Sequence, residues 1–141
     1  MVASVINAVT KQLGTTFGNN YRYYVEDIEQ GVTKPCFHVS PSIAIQRSKS
    51  PVLYDRTIPI VIHYFSDSEN NSKQNCYAIS EQITECLEYL PFKNTLLRGE
   101  DINWQMVEDV LQVFVTYRFT TINTVENFNM ETLVNPNVSI N

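Results

Sequence analysis

Two periods of apolar spacing run along this chain, and the changes between them outline its elements. Val2, Val5, Ile6, Val9 and Leu13 recur at helical spacing. They predict a short amphipathic first helix, with Gly14 placed where a left-handed cap would stop it. Gly18-Asn19-Asn20 forms a turn, and Tyr21 to Glu26 is aromatic and β-branched enough for a short strand. From Cys36 the period falls to two. Phe37, Val39, Pro41, Ile43 and Ile45 fall on one side and His38, Ser40, Ser42, Ala44 and Gln46 on the other, which predicts a long strand with one buried face. Pro41 has no N–H for a ladder, so the strand is an edge, bulged or bent there, and Pro59 sets the same condition in the next strand.

Gln46 to Arg56, centred on Ser48-Lys49-Ser50-Pro51, reads as a polar hairpin arm. Thr57 to Phe65 is almost continuously apolar, as in a strand covered on both faces. Asp67-Ser68 offers capping oxygens to a second helix whose stripe is Cys76, Ile79, Ile83, Cys86, Leu87 and Leu90, ended by Pro91. Lys93 to Arg98 and Ile102 to Val107 flank a turn at Gly99-Glu100-Asp101. Val110 to Thr121 is the clearest strand, with Leu111, Val113, Val115, Tyr117 and Phe119 on one face. Helix, strands, helix, strands predicts an α+β domain over residues 1–121: a mostly antiparallel sheet with two amphipathic helices on one face and a long hairpin arm. From Ile122 asparagines interrupt isolated apolar residues and no period survives. Residues 122–141 are therefore either an extended arm that anchors Phe128, Met130 and Leu133 in grooves of another subunit, or a disordered terminus.

Composition narrows the class. A chain of 141 residues with 43% hydrophobic content is one globular domain able to bury a core without staples. Eight tyrosines and seven phenylalanines exceed what one small core accommodates, which leaves aromatic surface for a partner. A net charge of −5 and ten Lys and Arg scattered singly along the sequence argue against specific nucleic-acid binding. Three cysteines without metal-type spacing, and an opening that lacks a signal-peptide pattern, point to synthesis in a reducing cytoplasm. No apolar run is long enough to cross a bilayer.

Candidate chemistry is sparse. There is no Gly-x-Ser-x-Gly elbow and no phosphate-cradling loop, and four glycines leave little material for one. Glu26, Asp27 and Glu29, like Glu100 and Asp101, are adjacent acids of the kind that turns present to solvent. Cys36 and His38 share a strand face and His63 lies on the neighbouring strand, so a small metal- or ligand-binding site there is the reading from a different functional class. Tight ligand pairs and a carboxylate second shell are missing, which favours a purely structural role.

Six patches occur in fixed order: Ile28-Glu29-Gln30-Gly31, Lys34-Pro35-Cys36-Phe37, Ile62-His63-Tyr64-Phe65, Leu87-Glu88-Tyr89-Leu90, Arg98-Gly99 and Val110 to Tyr117. Together they resemble the tail terminator (tail completion) family of tailed bacteriophages and phage-tail-like particles. The resemblance implies a structural protein, not an enzyme, with no cofactor. It implies assembly in the bacterial cytoplasm into a closed ring, expected to be a homohexamer, on the last ring of the tail tube. There it stops polymerisation and receives the head connector, holding the last sheath ring as well in contractile particles, while DNA passes through the lumen without specific binding. A neighbouring subunit would then cover the second face of Thr57 to Phe65. Glu29, Gln30 and Arg98 become candidates for contacts between subunits. The arm, with Arg47, Lys49, Leu53, Tyr54 and Arg56, becomes a candidate for contacts with tube or sheath. A head-to-tail connector or stopper ring is the alternative within the same class.

Overall fold

Ile58, Ile60, Ile62 and Tyr64 follow one another at every second position, and all four are buried. A strand with that pattern needs a hydrophobic layer on one side, and the rest of the chain supplies it. The computed structural model describes residues 1–25, 33–67 and 72–122. Its elements are α1 (Val2–Phe17), β1 (Arg22–Tyr24), β2 (Cys36–Pro41), β3 (Ile45–Ser48), β4 (Leu53–Phe65), α2 (Ser72–Leu87), β5 (Tyr89–Phe92), β6 (Thr95–Val107) and β7 (Val110–Ile122). The sheet order is β1-β2-β4-β7-β6-β5, with β3 paired to β4 beyond the end of β2. Only β1 and β2 pair in parallel. Val5, Val9 and Leu13 of α1 and Cys76, Ile79, Ile83 and Leu87 of α2 join the same buried cluster as the inward residues of β4 and β7. Both helices thus cover one face of an α+β, mostly antiparallel sheet.

Four local expectations are corrected. The first helix runs through Gly14 to Phe17 and is capped by Gly18, whose φ of 84° with ψ of −163° is an extended positive-φ conformation that glycine adopts readily and whose N–H donates to the Gly14 carbonyl at 2.9 Å. Glycine inside a helix costs about 1 kcal/mol relative to alanine. Here Phe17 offsets it, because the extra turn brings its ring within 4.8 Å of Phe37 and 5.5 Å of Tyr21.

The long strand from Cys36 is two strands. Pro41 pairs with Ile60 and Ile45 with Thr57, so four steps on one side face three on the other. The one extra residue is a β-bulge beside two prolines that cannot donate ladder bonds. It reverses the alternation. Phe37 and Val39 are buried, whereas Ile43 is 77% and Ile45 43% exposed.

The second helix stops at Leu87, before the position expected from Pro91. Leu90 and Pro91 belong to β5, where Leu90 still reaches the core. The Tyr117 hydroxyl donates to the freed Leu87 carbonyl at 2.8 Å, satisfying an orphan acceptor of the helix end. The helix is described from Ser72; of the two capping residues proposed, Asp67 lies five positions before that point and Ser68 lies outside the described residues.

Gly99-Glu100-Asp101 is not a turn. It is a register shift within the continuous β6, with Asp101 at a φ of 53°, and the chain reverses at Lys93 and Asn94 between β5 and β6. The Gly99 N–H donates to the Glu88 carbonyl at 2.6 Å. A Cβ there would meet the Leu87 carbonyl oxygen at 2.7 Å, so only glycine lets the strand pass the helix end this closely.

Candidate subunit and partner interface

The hairpin arm is an ordered extension of the sheet. Arg47 in β3 pairs with Asp55, Gln46 with Arg56 and Ser48 with Tyr54. At its tip the Ser50 hydroxyl accepts from the Leu53 N–H at 3.1 Å and the Val52 N–H at 3.3 Å, while Ser48 Oγ donates to the Ser50 carbonyl at 2.9 Å. Serines in this role organise a turn without glycine. Two side-chain bonds staple the arm to the end of β7: Arg56 Nε donates to Thr121 Oγ1 at 2.9 Å, and Thr120 Oγ1 donates to Asp55 Oδ1 at 2.7 Å. Lys49 Nζ lies 3.5 Å from Asp55.

The cations that are scattered in sequence are gathered in space. Arg47, Lys49 and Arg56 at the arm, Arg118 in β7 and Lys93 and Arg98 in the β5–β6 hairpin lie at one end of the sheet, and they are six of the chain's ten Lys and Arg. Two adjoining grooves, of about 340 and 380 Å³, share Arg118, Phe119 and Thr120 as walls and join all of these cations except Lys49. Asp55, Glu100 and Asp101 neutralise part of the charge, with Arg118 Nη1 3.1 Å from Asp101 and 3.6 Å from Glu100. Such exposed pairs are worth about 0–1 kcal/mol and leave the cations available to a partner. Arg118 was not separable in sequence from the other polar residues of β7. Only the β4–β7 register brings it beside Thr57 and the arm.

The sheet face opposite the helices carries Pro59, Val61, His63 and Phe65 of β4 and Phe114 of β7, all half-buried. No helix covers them, so the double cover expected for β4 is not completed within the described residues. His38 and His63 face each other on this side with ring centroids 5.9 Å apart. Among the described residues His63 Nδ1 is buried without a hydrogen-bond partner. Burial, and then the neighbouring His38, push the His63 pKa down. Cys36 lies on the same side of β2 and is fully buried, with its thiol pKa raised by that burial. Among the described residues no three His, Cys, Asp or Glu side chains are grouped to hold a metal ion, so the candidate ligands do not converge.

Of the candidate contact residues, Arg47, Lys49, Leu53, Tyr54, Arg56 and Arg98 fall at the cationic end. Glu29, Gln30, Phe128, Met130 and Leu133 lie outside the described residues. An ordered arm, a cationic end and an open sheet face make a body suited to contact with other subunits. The sequence profile of a family described as phage tail terminator protein matches residues 4–129. The chain belongs to the phage tail terminator family. A terminator is a structural protein of phage tail assembly, so this chain acts among other tail components and is placed in the virion tail. No helix among the described residues is long and apolar enough to cross a membrane. No curated protein matches the chain. Among the solved structures that match, one is similar over 85% of this terminator and 91% of its own chain, at 8% identity and a TM-score of 0.34, a likeness too loose to carry an argument.

Proposed function

We propose that this terminator closes as a homohexameric ring on the last ring of the tail tube, stops its polymerisation and presents the surface on which the head is received. A cap of this kind binds a heterologous end on one face and lacks that binding surface on the other, so growth cannot continue past it. The observation that carries the reading is the uncovered sheet face. Pro59, Val61, Phe65 and Phe114 form an apolar patch on the side away from both helices, the sort of surface an obligate neighbour buries. The arm, with Arg47, Lys49, Leu53, Tyr54 and Arg56, reaches beyond the core and contacts the tube or, in a contractile particle, the last sheath ring. Arg98 contacts the adjacent subunit, as do Glu29 and Gln30. DNA passes through the lumen without specific binding.

Cosedimentation with purified tubes of the cognate tube protein tests this. Binding should saturate at an amount set by the number of tube ends, so shearing the same tube mass into shorter pieces raises it in proportion. Binding that follows tube mass, or retention by the portal-side ring in place of the tube, overturns capping and supports a head-to-tail connector.

A further inference from the structure

The 380 Å³ groove at the cationic end has the build of a strand acceptor. The β6–β7 ladder runs from Val107 paired with Val110 to Gly99 paired with Tyr117 and stops there. Gly99 is held to Glu88, and this draws the start of β6 away from β7. On its other edge β7 continues against β4 as far as Ile122 paired with Leu53. Arg118 to Thr121 therefore have no ladder partner on the β6 side among the described residues. An open strand edge recruits an extended chain.

The walls say what kind of chain fits. Phe92 and Leu97 are buried at the floor, and Phe119 lies 5.8 Å from Phe92 between ring centroids. Leu96, 61% exposed, forms the lip. Lys93, Arg98 and Arg118 line the rim, opposed by Glu100 and Asp101 on the Arg118 side only. An occupant should be extended, apolar at intervals, acidic and free of cations. Residues 123–141 of this chain match that description. They contain no Lys or Arg, carry Glu126 and Glu131, and offer Val125, Phe128, Met130 and Leu133. Fully extended they reach ~60 Å.

We infer that this groove receives the 123–141 segment of a second copy of the chain, which adds a strand to the free edge of β7 and seats Phe128 against Phe92 and Phe119. The inference rests on the ring reading, since a head-to-tail ring brings one subunit's groove to the next subunit's end. A second copy is favoured over the chain's own segment because β7 leaves past the groove, at the Leu53–Ile122 pair. Return to its own groove would need a tight hairpin directly after Ile122, and residues 123–141 contain no glycine to supply the positive-φ positions of such a turn.

Mixed-chain disulfide trapping tests it. Full-length chains bearing either Leu96→Cys or Phe128→Cys are assembled together on tubes and oxidised, with each variant alone and the parent chain as controls for the native cysteines. The expected result is a covalent dimer from the mixture, several-fold above any control, reduced when Lys93→Glu and Arg98→Glu are added to the Leu96→Cys chain. Rings seen by microscopy without that dimer overturn the groove assignment and leave the ring reading intact. A disulfide formed within single chains carrying both cysteines, and not between chains, overturns it by returning the segment to its own groove. Absence of rings overturns both readings.

Discussion

At Gly99 an added Cβ would lie 2.7 Å from the Leu87 carbonyl oxygen and 2.8 Å from Val115 Cγ2, and the first of these is backbone that has little freedom to move. Gly99→Ala is expected to destabilise the fold by about 2–3 kcal/mol, as overpacking of a closed site does, measured by urea denaturation. Tyr117 is fully buried and its hydroxyl bonds the helix end. Tyr117→Phe should cost about 1–2 kcal/mol in the same assay, because the Leu87 carbonyl is left without that donor. Two titrations contribute to the pH dependence of stability, one on each side of neutrality. Burial pushes the Tyr64 phenol up to about 12 from 10.0. The unfolded chain therefore ionises first, and this contribution to stability is whole below pH 10.0 and lost as pH rises toward 12. His63 is shifted the other way, below 6.5, so its contribution is whole above pH 6.5 and lost as pH falls through the folded value. Thermal melts of His63→Gln should show a shallower loss of stability below pH 6.5 than the parent chain. Identical slopes would remove His63 as the source.

The bulge between β2 and β3 is the element that most changes how the pattern is read. Val39 and Ile43 stand on one stripe in the sequence, yet one is fully buried and the other 77% exposed. Val39→Lys should therefore prevent stable folding, while Ile43→Lys should shift stability by no more than about 0.5 kcal/mol. Equal damage from both would contradict the bulge. Elements with long, unbroken periods were legible: the stripes of α1 and α2, the inward face of β7, and the α+β layer they imply. A single inserted residue leaves the composition and both flanking patterns intact, so nothing local in the sequence announces the reversal. The register shift after Glu100 reads as a turn in the sequence for a related reason. Glycine followed by two acids is turn chemistry, and only the pairing of Gly99 and Glu100 with Tyr117 and Thr116, distant in sequence, makes it part of a strand. Of the interface, the arm was legible from its polar run, while the cationic end arises from pairings between β3, β4, β6 and β7.

On the scale of the whole molecule, charge is divided unevenly. The end bearing Arg47, Lys49, Arg56, Lys93, Arg98 and Arg118 belongs to a chain whose net charge is −5. Acidic residues such as Glu81, Glu85, Glu108 and Asp109 lie elsewhere, on α2 and at the β6–β7 turn. A partner held at that end should be released by salt, since exposed charges are screened within about 10 Å at 0.1 M. Arg47→Glu, which spares the Arg56 bond to Thr121, should leave the helical signal and melting transition nearly unchanged while weakening attachment to tubes several-fold, read by cosedimentation. The central claim is that the terminator ends tube growth. Negative-stain microscopy of tube protein polymerising with and without the full-length chain, scoring tube lengths and the density at each end, tests it most directly. A ring is expected at one end of each tube, with lengths that stop increasing once the chain is added. Tubes that keep growing, with bare ends and an unchanged length distribution, would contradict it.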